Sequence, residues 1–264
     1  MDKLQVTCSG DVATLMLSRP EIHNAFDDEL IGLLTSTLTR LEADDSVRVV
    51  VLAGAGRSFC AGADLNWMRS MVEYTEEDNR RDSLRLAALY EQIDTFPKPV
   101  VARVQGAAIG GGCGLVATAD IVVAGPRARF ALSEVRLGLA PAVISPFVVR
   151  KIGTSRAREM FLTGRRIRPD EALRYGLIHE VVEDENELDT AVNRWVDMLM
   201  LGGPNALAAC KTLAREADQW ESPRDRTATM IAQLRTGAEG QGGMRAFLQK
   251  SPPPWQPPTR EEKA

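Results

Sequence analysis

Two glycine-rich turns carry the residues best placed for chemistry in this 264-residue sequence. The first lies in VVVLAGAGRSFCAGADL, where an apolar run gives way to Gly54 and Gly56 and then to Ala61-Gly62-Ala63-Asp64. The second is VQGAAIGGGCGLVATAD, in which Gly106, Gly110, Gly111 and Gly112 precede an apolar helical stretch. Turns of this kind leave backbone N–H groups unpaired at a helix start among small side chains, so a carbonyl oxygen gaining negative charge can be held there. A helix beginning near Gly111 also turns its positive dipole end toward that place, and the missing side chains admit a substrate close to the backbone.

Dinucleotide chemistry fits these turns less well. GxGxxG fails at the first, because Phe59 stands three residues after Gly56. The second has the Gly106-x-x-x-Gly110-x-Gly112 spacing of a short-chain dehydrogenase phosphate loop. No tyrosine in the chain is followed four residues later by lysine, however, since Tyr74, Tyr90 and Tyr175 lead to Asp78, Asp94 and His179. Metal chemistry is unsupported, because His23 and His179 are the only histidines and neither has ligand spacing to a cysteine. Both histidines read as structural. Cys8, Cys60, Cys113 and Cys210 form no CxxC pair and read as reduced core residues.

The elements that must position the turns follow from periodicity. Residues 4–8, 12–17, 47–52, 100–104 and 121–124 read as strands, with parallel pairing as the natural inference. Phe26, Leu30, Leu33, Leu34, Leu38 and Leu41 recur at helical spacing behind Asp27 and Asp28, and a second helix covers about 76–94. Beyond residue 150 helices dominate: 155–162, 169–175, 185–200, 204–217 and 223–235, with one short strand at 177–182. An α/β core followed by a helical appendage results, and the proline-rich 251–264 reads as extended. A net charge of −4, from 32 basic and 36 acidic residues, excludes a nucleic-acid footprint and an anionic membrane surface as partners. No stretch approaches the roughly 20 apolar residues of a membrane span, and Asp11 interrupts any leader, so the expected location is the cytoplasm.

Several motifs in order resemble the crotonase (enoyl-CoA hydratase/isomerase) superfamily over residues 4–250. They are Arg19-Pro20 with Asn24-Ala25, then Ser58 through Leu65, then Gly106 to Gly112. After these come Leu132-Ser133-Glu134 with Gly138, Thr163-Gly164-Arg165-Arg166-Ile167, Glu171-Ala172 and Gly176-Leu177, and the closing Met244 to Lys250. The resemblance implies a spiral of ββα units over residues 1–195 with a perpendicular small sheet. It further implies a helical trimerisation region over 196–264, in a homotrimer or dimer of trimers. An acyl-CoA thioester would be the substrate, with coenzyme A part of it and no separate cofactor or metal. By matching positions, the N–H groups of Ala63 and Gly111 would polarise the thioester carbonyl and Glu134 would be the acid/base. Ala61, Asp64, Leu65 and Asn66 would line the coenzyme path, Ala25 would lie beside it, and Phe247 or Lys250 would reach it from a neighbouring subunit. Trp67 and Met68 would border the acyl pocket.

Hydratases of this family use two glutamates, whose positions here hold Gly114 and Glu134; the first is absent. Glu134, between Leu132 and Val135, would have a raised pKa if buried. The sequence GGGCGLVATAD with FALSEVRLGLAPAVISPFVV looks like a branch assigned to hydratases of methylglutaconyl-CoA or related branched substrates. Hydration of a 2-enoyl-CoA is therefore the first expectation, with Δ3,Δ2-enoyl-CoA isomerisation, which needs one proton shuttle, as the alternative and a non-catalytic acyl-CoA scaffold as a third. Ser145, Glu73 and Glu77 are the candidates to compensate for the missing carboxylate.

Overall fold

The computed structural model describes residues 2–256. β1 (Leu4–Ser9) and β2 (Val12–Leu17) form an antiparallel hairpin with Ser9 opposite Val12 and Gly10 at φ +56° in the turn. This pair departs from the expected parallel sheet for a simple reason. Two residues can join antiparallel neighbours, whereas a parallel pair needs a crossover of about a dozen or more. From there the chain obeys the parallel rule. α1 (Asp28–Glu42) leads to β3 (Val49–Gly54), and α2 (Leu65–Glu73) with α3 (Glu76–Thr95) leads to β4 (Val100–Val104). β5 (Ala107–Ile109), α4 (Gly111–Thr118), β6 (Ile121–Ala124) and β7 (Arg129–Ala131) follow. The large sheet has the order β1-β2-β3-β4-β6-β8, with β8 at Glu180–Val181, and every pair after the first is parallel.

The ββα repeat is visible in the hydrogen bonds. β5 and β7 form a small parallel sheet, and Cys60 makes a parallel bridge to Ala108 of β5. Three successive turns thus each place one strand in the large sheet and one segment in the small one: β3 with residue 60, β4 with β5, and β6 with β7. After the second segment comes α2, α4 or the short 3-10 helix Glu134–Leu137 respectively. Two glycines of the repeat have no room for a side chain: an added Cβ would lie 1.9 Å from the Arg57 carbonyl oxygen at Gly106, which adopts φ +58°, and 2.2 Å from the Cys60 carbonyl oxygen at Gly112.

Most of the core lies on the sheet face covered by α1, α3, α4 and α5 (Ser145–Thr163), the last kinked at Gly153. The opposite face is closed by α7 (Leu188–Met200), whose Leu188, Ala191, Val192 and Val196 recur at helical spacing against Val49, Val51, Val101 and Val123. Each buried Val or Leu there contributes about 1.5–3 kcal/mol. Burial on both faces explains why β3 reads as a continuous apolar run, VVVLAG. α7 crosses residue 195 as one packed helix.

α6 (Pro169–Tyr175), α8 (Pro204–Glu216), α9 (Pro223–Thr236) and α10 (Ala238–Gln249) complete the chain. α8 and α9 bury no residue, and Ile231, Met244, Phe247 and Leu248 are exposed. Arg48 fastens this region to the sheet by donating to the carbonyls of Met200, Gly202 and Trp255 at 3.2, 2.6 and 2.8 Å. Of the expected extended tail, residues 257–264 lie outside the described residues. Cys60 and Cys113 are core residues as expected, but Cys8 and Cys210 are exposed, one on the edge strand β1 and the other on α8. Among the described residues no helix is long and apolar enough to cross a membrane.

Candidate active site

The loop before α2 is held by crossed anchors. Asn24, fully buried at φ +57°, accepts from the Arg19 N–H at 2.9 Å and donates to the carbonyls of Ala55 and Ser58 at 2.9 and 2.7 Å. Arg19 donates to the Ala25 carbonyl and pairs with Asp27 and Asp64 at 2.8, 2.8 and 2.7 Å. Asp64 in turn caps α2 by accepting from the Asn66 N–H at 2.7 Å. Burial opposes its charge, yet that amide and the Arg19 guanidinium hold its carboxyl below the usual aspartate value. These contacts tie Arg19, Asn24, Ala25 and Asp64 into one anchor for the loop.

Phe26 then joins the two glycine-rich turns. It forms a parallel bridge with Ala63, donating to Gly62 O at 2.7 Å and accepting from the Asp64 N–H at 2.6 Å. In such a bridge the N–H of Ala63 itself points to the other side. The Phe26 ring lies against Gly111, 3.0 Å from where a Cβ on that residue would stand. Gly111 opens α4, so its N–H is one of the unpaired donors of a helix start. Among the described residues neither the Ala63 N–H nor the Gly111 N–H has an acceptor. Ala63 is exposed and Gly111 half-buried, so both donors are within reach of a ligand.

Glu134 begins the short helix that follows β7, with its carbonyl accepting from the Leu139 N–H at 3.1 Å. Its side chain returns to the glycine turn, where Oε1 lies 3.2 Å from the position of a Cβ on Gly110. Gly110 adopts φ +52°, a conformation that L side chains rarely take. Oε2 is buried and has no hydrogen-bond partner among the described residues. Burial pushes the carboxyl above the usual glutamate value, with its own amide working against the shift. Phe26 therefore links Ala63 to Gly111, and the Glu134 carboxyl lies beside Gly110 of the same glycine turn.

Gly114, the position that the resemblance gives to the missing first glutamate, has no free space around it. A Cβ on Gly114 would stand 2.5 Å from Ile144 Cγ2 and 2.8 Å from Tyr90 Cζ. Of the residues expected to compensate for the missing glutamate, Ser145 Oγ donates to Ala142 O at 2.8 Å, Glu73 is exposed, and Glu77 pairs with Arg80 on the surface. Burial pushes the thiols of Cys60 and Cys113 up to about 12, so neither is a nucleophile near neutrality. His23 Nδ1 lies 3.0 Å from Ser58 Oγ, and His179 Nδ1 accepts from the Val122 N–H at 3.0 Å.

The remaining expected residues divide by place. Ala25 and Asp64 are buried and Ala61 is half-buried, whereas Leu65 and Asn66 face solvent at the start of α2. Trp67 packs into the main core and Met68 is half-buried. Phe247 and Lys250 are exposed on and just after α10, and among the described residues no hydrogen bond or ion pair joins them to the turns. Two residues escaped the sequence reading. Arg19 was visible only as part of a motif, and Tyr90 gave no signal beyond its place on the apolar face of α3.

The enoyl-CoA hydratase/isomerase family model matches residues 7–258. A solved enoyl-CoA hydratase from Shewanella pealeana is similar at a TM-score of 0.93 and 39% identity, with 96% of each chain covered. An enoyl-CoA hydratase of Alternaria alternata is 38% identical over 245 residues, 92% of this chain and 80% of that protein. A 1,2-epoxyphenylacetyl-CoA isomerase of Escherichia coli is 37% identical over 182 residues, 68% and 70% of the two chains. Fold and sequence agree with this likeness over nearly the full length, and the chain belongs to the enoyl-CoA hydratase/isomerase family.

Proposed function

We propose that this enzyme hydrates a 2-enoyl-CoA, with a branched, methylglutaconyl-type acyl group as the favoured substrate class. The observation that carries the reading is the buried, unpartnered Oε2 of Glu134 beside the glycine turn. The thioester oxygen accepts from the N–H groups of Ala63 and Gly111, preorganised donors worth about 3 to 4 kcal/mol each as charge develops. Ionised Glu134 takes a proton from water as its oxygen adds to C3, then returns a proton to C2 on the same face. Ala25, Ala61, Asp64, Leu65 and Asn66 line the coenzyme path, Asp64 by shaping the loop. Lys250 meets the coenzyme from a neighbouring subunit of a trimer or dimer of trimers, assembled through residues 196–264. The unburied faces of α8 and α9 support that assembly. No cofactor beyond the substrate's own coenzyme A is required.

The test is hydration of crotonyl-CoA and 3-methylglutaconyl-CoA by the wild type and by Glu134→Gln. The variant should lose about 10²- to 10⁴-fold in kcat while still binding the thioester. A wild type that binds both thioesters and turns over neither would establish the scaffold instead. A second reading, Δ3,Δ2-enoyl-CoA isomerisation, is favoured by the filled space at Gly114, because moving one proton from C2 to C4 needs only one carboxyl. Fast isomerisation of 3-hexenoyl-CoA with undetectable hydration would select it.

A further inference from the structure

The amide of Gly111 lies inside a glycine triplet, and none of Gly110, Gly111 and Gly112 has a Cβ to restrict its φ and ψ. The direction of that N–H is therefore set by whatever holds the neighbouring peptides. Three bonds do so. The Gly110 N–H donates to Ala131 O at 2.9 Å, the Gly114 N–H donates to Gly110 O at 3.1 Å, and the Tyr90 hydroxyl donates to Gly111 O at 2.8 Å. The first two belong to the regular backbone of the sheet edge and the helix. The third comes from α3, a separate element of the fold, and it grips the same residue whose N–H would meet the substrate.

Tyr90 is suited to such a grip. It is fully buried, its ring lies against Gly114 and 6.1 Å from the Phe147 ring, and its Oη stands 2.9 Å from the position of a Gly111 Cβ. Burial first, and then nearby Cys60 and Glu134, raise its hydroxyl well above the usual tyrosine value, so it stays a donor. A packing role alone would be met by phenylalanine. The hydroxyl is therefore the part of this side chain that core shape does not account for.

We propose that Tyr90 is a positioning residue for the oxyanion site, its hydroxyl fixing the first turn of α4 so that the Gly111 N–H is aimed at the thioester oxygen. This rests on the reading that Ala63 and Gly111 hold that oxygen. Tyr90→Phe keeps the ring and removes the bond, and two readouts separate aim from folding. One is the infrared carbonyl stretch of bound crotonyl-CoA labelled with ¹³C at the thioester carbon; the other is kcat against KM. In the wild type the stretch falls below its value in solution. In Tyr90→Phe the fall is smaller, kcat drops about tenfold, the rate equivalent of one hydrogen bond, and KM stays within twofold. A variant with the full wild-type shift and kcat within twofold overturns the role of Tyr90 alone. A wild type without any shift removes the oxyanion reading, and Tyr90's role falls with it.

Discussion

Adding one methyl group at Gly114 probes the wall that stands where the first glutamate of the expected pair is missing. The new Cβ would lie 2.5 Å from Ile144 Cγ2 and 2.8 and 2.9 Å from two ring carbons of Tyr90. Favourable carbon contacts begin near 3.5 Å, so the shortfall reaches about 1 Å. Ile144 and Tyr90 are 3% and 0% exposed, which leaves neither a route of escape. Overpacking of this kind costs about 1–3 kcal/mol, and replacing a helical glycine by alanine returns about 0.5–1 kcal/mol. A net loss of about 0.5–2 kcal/mol should lower Tm by about 1–8 °C in a chain of this size. Thermal unfolding followed by circular dichroism at fixed protein concentration measures it. Removing Cγ2 with Ile144→Ala vacates the room, so the double variant should lose less than the two single costs together. Gly114→Ala melting at or above the wild type would refute the reasoning. By the same geometry, Gly114→Glu should bring no gain in hydration.

Burial of Glu134 has consequences of opposite sign for rate and stability. Hydration needs the ionised carboxyl, so the acid limb of kcat should lie above the usual 4.5 and vanish in the residual activity of Glu134→Gln; a limb at or below that value contradicts the burial argument. The folded pKa exceeds the unfolded one, so the fold binds more protons between them and stability falls as pH rises through that window. Glu134→Gln should therefore melt higher than the wild type at pH 8, with the advantage gone below about pH 4; equal melting at both pH values would count against it. Arg19→Ala leaves Asp64, 5% exposed, without its cation while Asp27 keeps Lys3 at 2.6 Å, and should cost about 3–5 kcal/mol in urea unfolding while raising KM for the thioester. A cost below about 1 kcal/mol would show that the pairs are dispensable.

Periodicity revealed what is long. The apolar spacing of 26–41 located α1 and the valine runs located β3, β4 and β6. It could not reveal β5 and β7, three residues each, because alternation has no length in which to show. α2 escaped because it is only nine residues long and starts directly from the glycine-rich turn, although Leu65, Met68 and Val72 stand at helical spacing. Order and residue type singled out Ala63, Gly111 and Glu134, and the structure places the first two against Phe26 and the third beside Gly110. Tyr90 was not singled out, since its contact with Gly111 spans 21 residues and a tyrosine on an apolar helix face looks like any core aromatic. That Gly114 has no room for a side chain is likewise a property of three elements meeting, and no single stretch of sequence encodes it.

The far end of α4 has an electrical consequence for the near one. There the ammonium of Lys151 donates to the carbonyls of Val116, at 3.2 Å, and Ala119. Burial lowers its pKa to about 8, which leaves it mostly cationic at neutral pH. The negative pole of the helix is thereby cancelled inside the protein. With α4 only about 12 Å long, the same cation adds on the order of 1 kcal/mol of attraction for a negative charge at the glycine pole. α4 thus works as a battery with one terminal shorted by Lys151 and the other left live at Gly111.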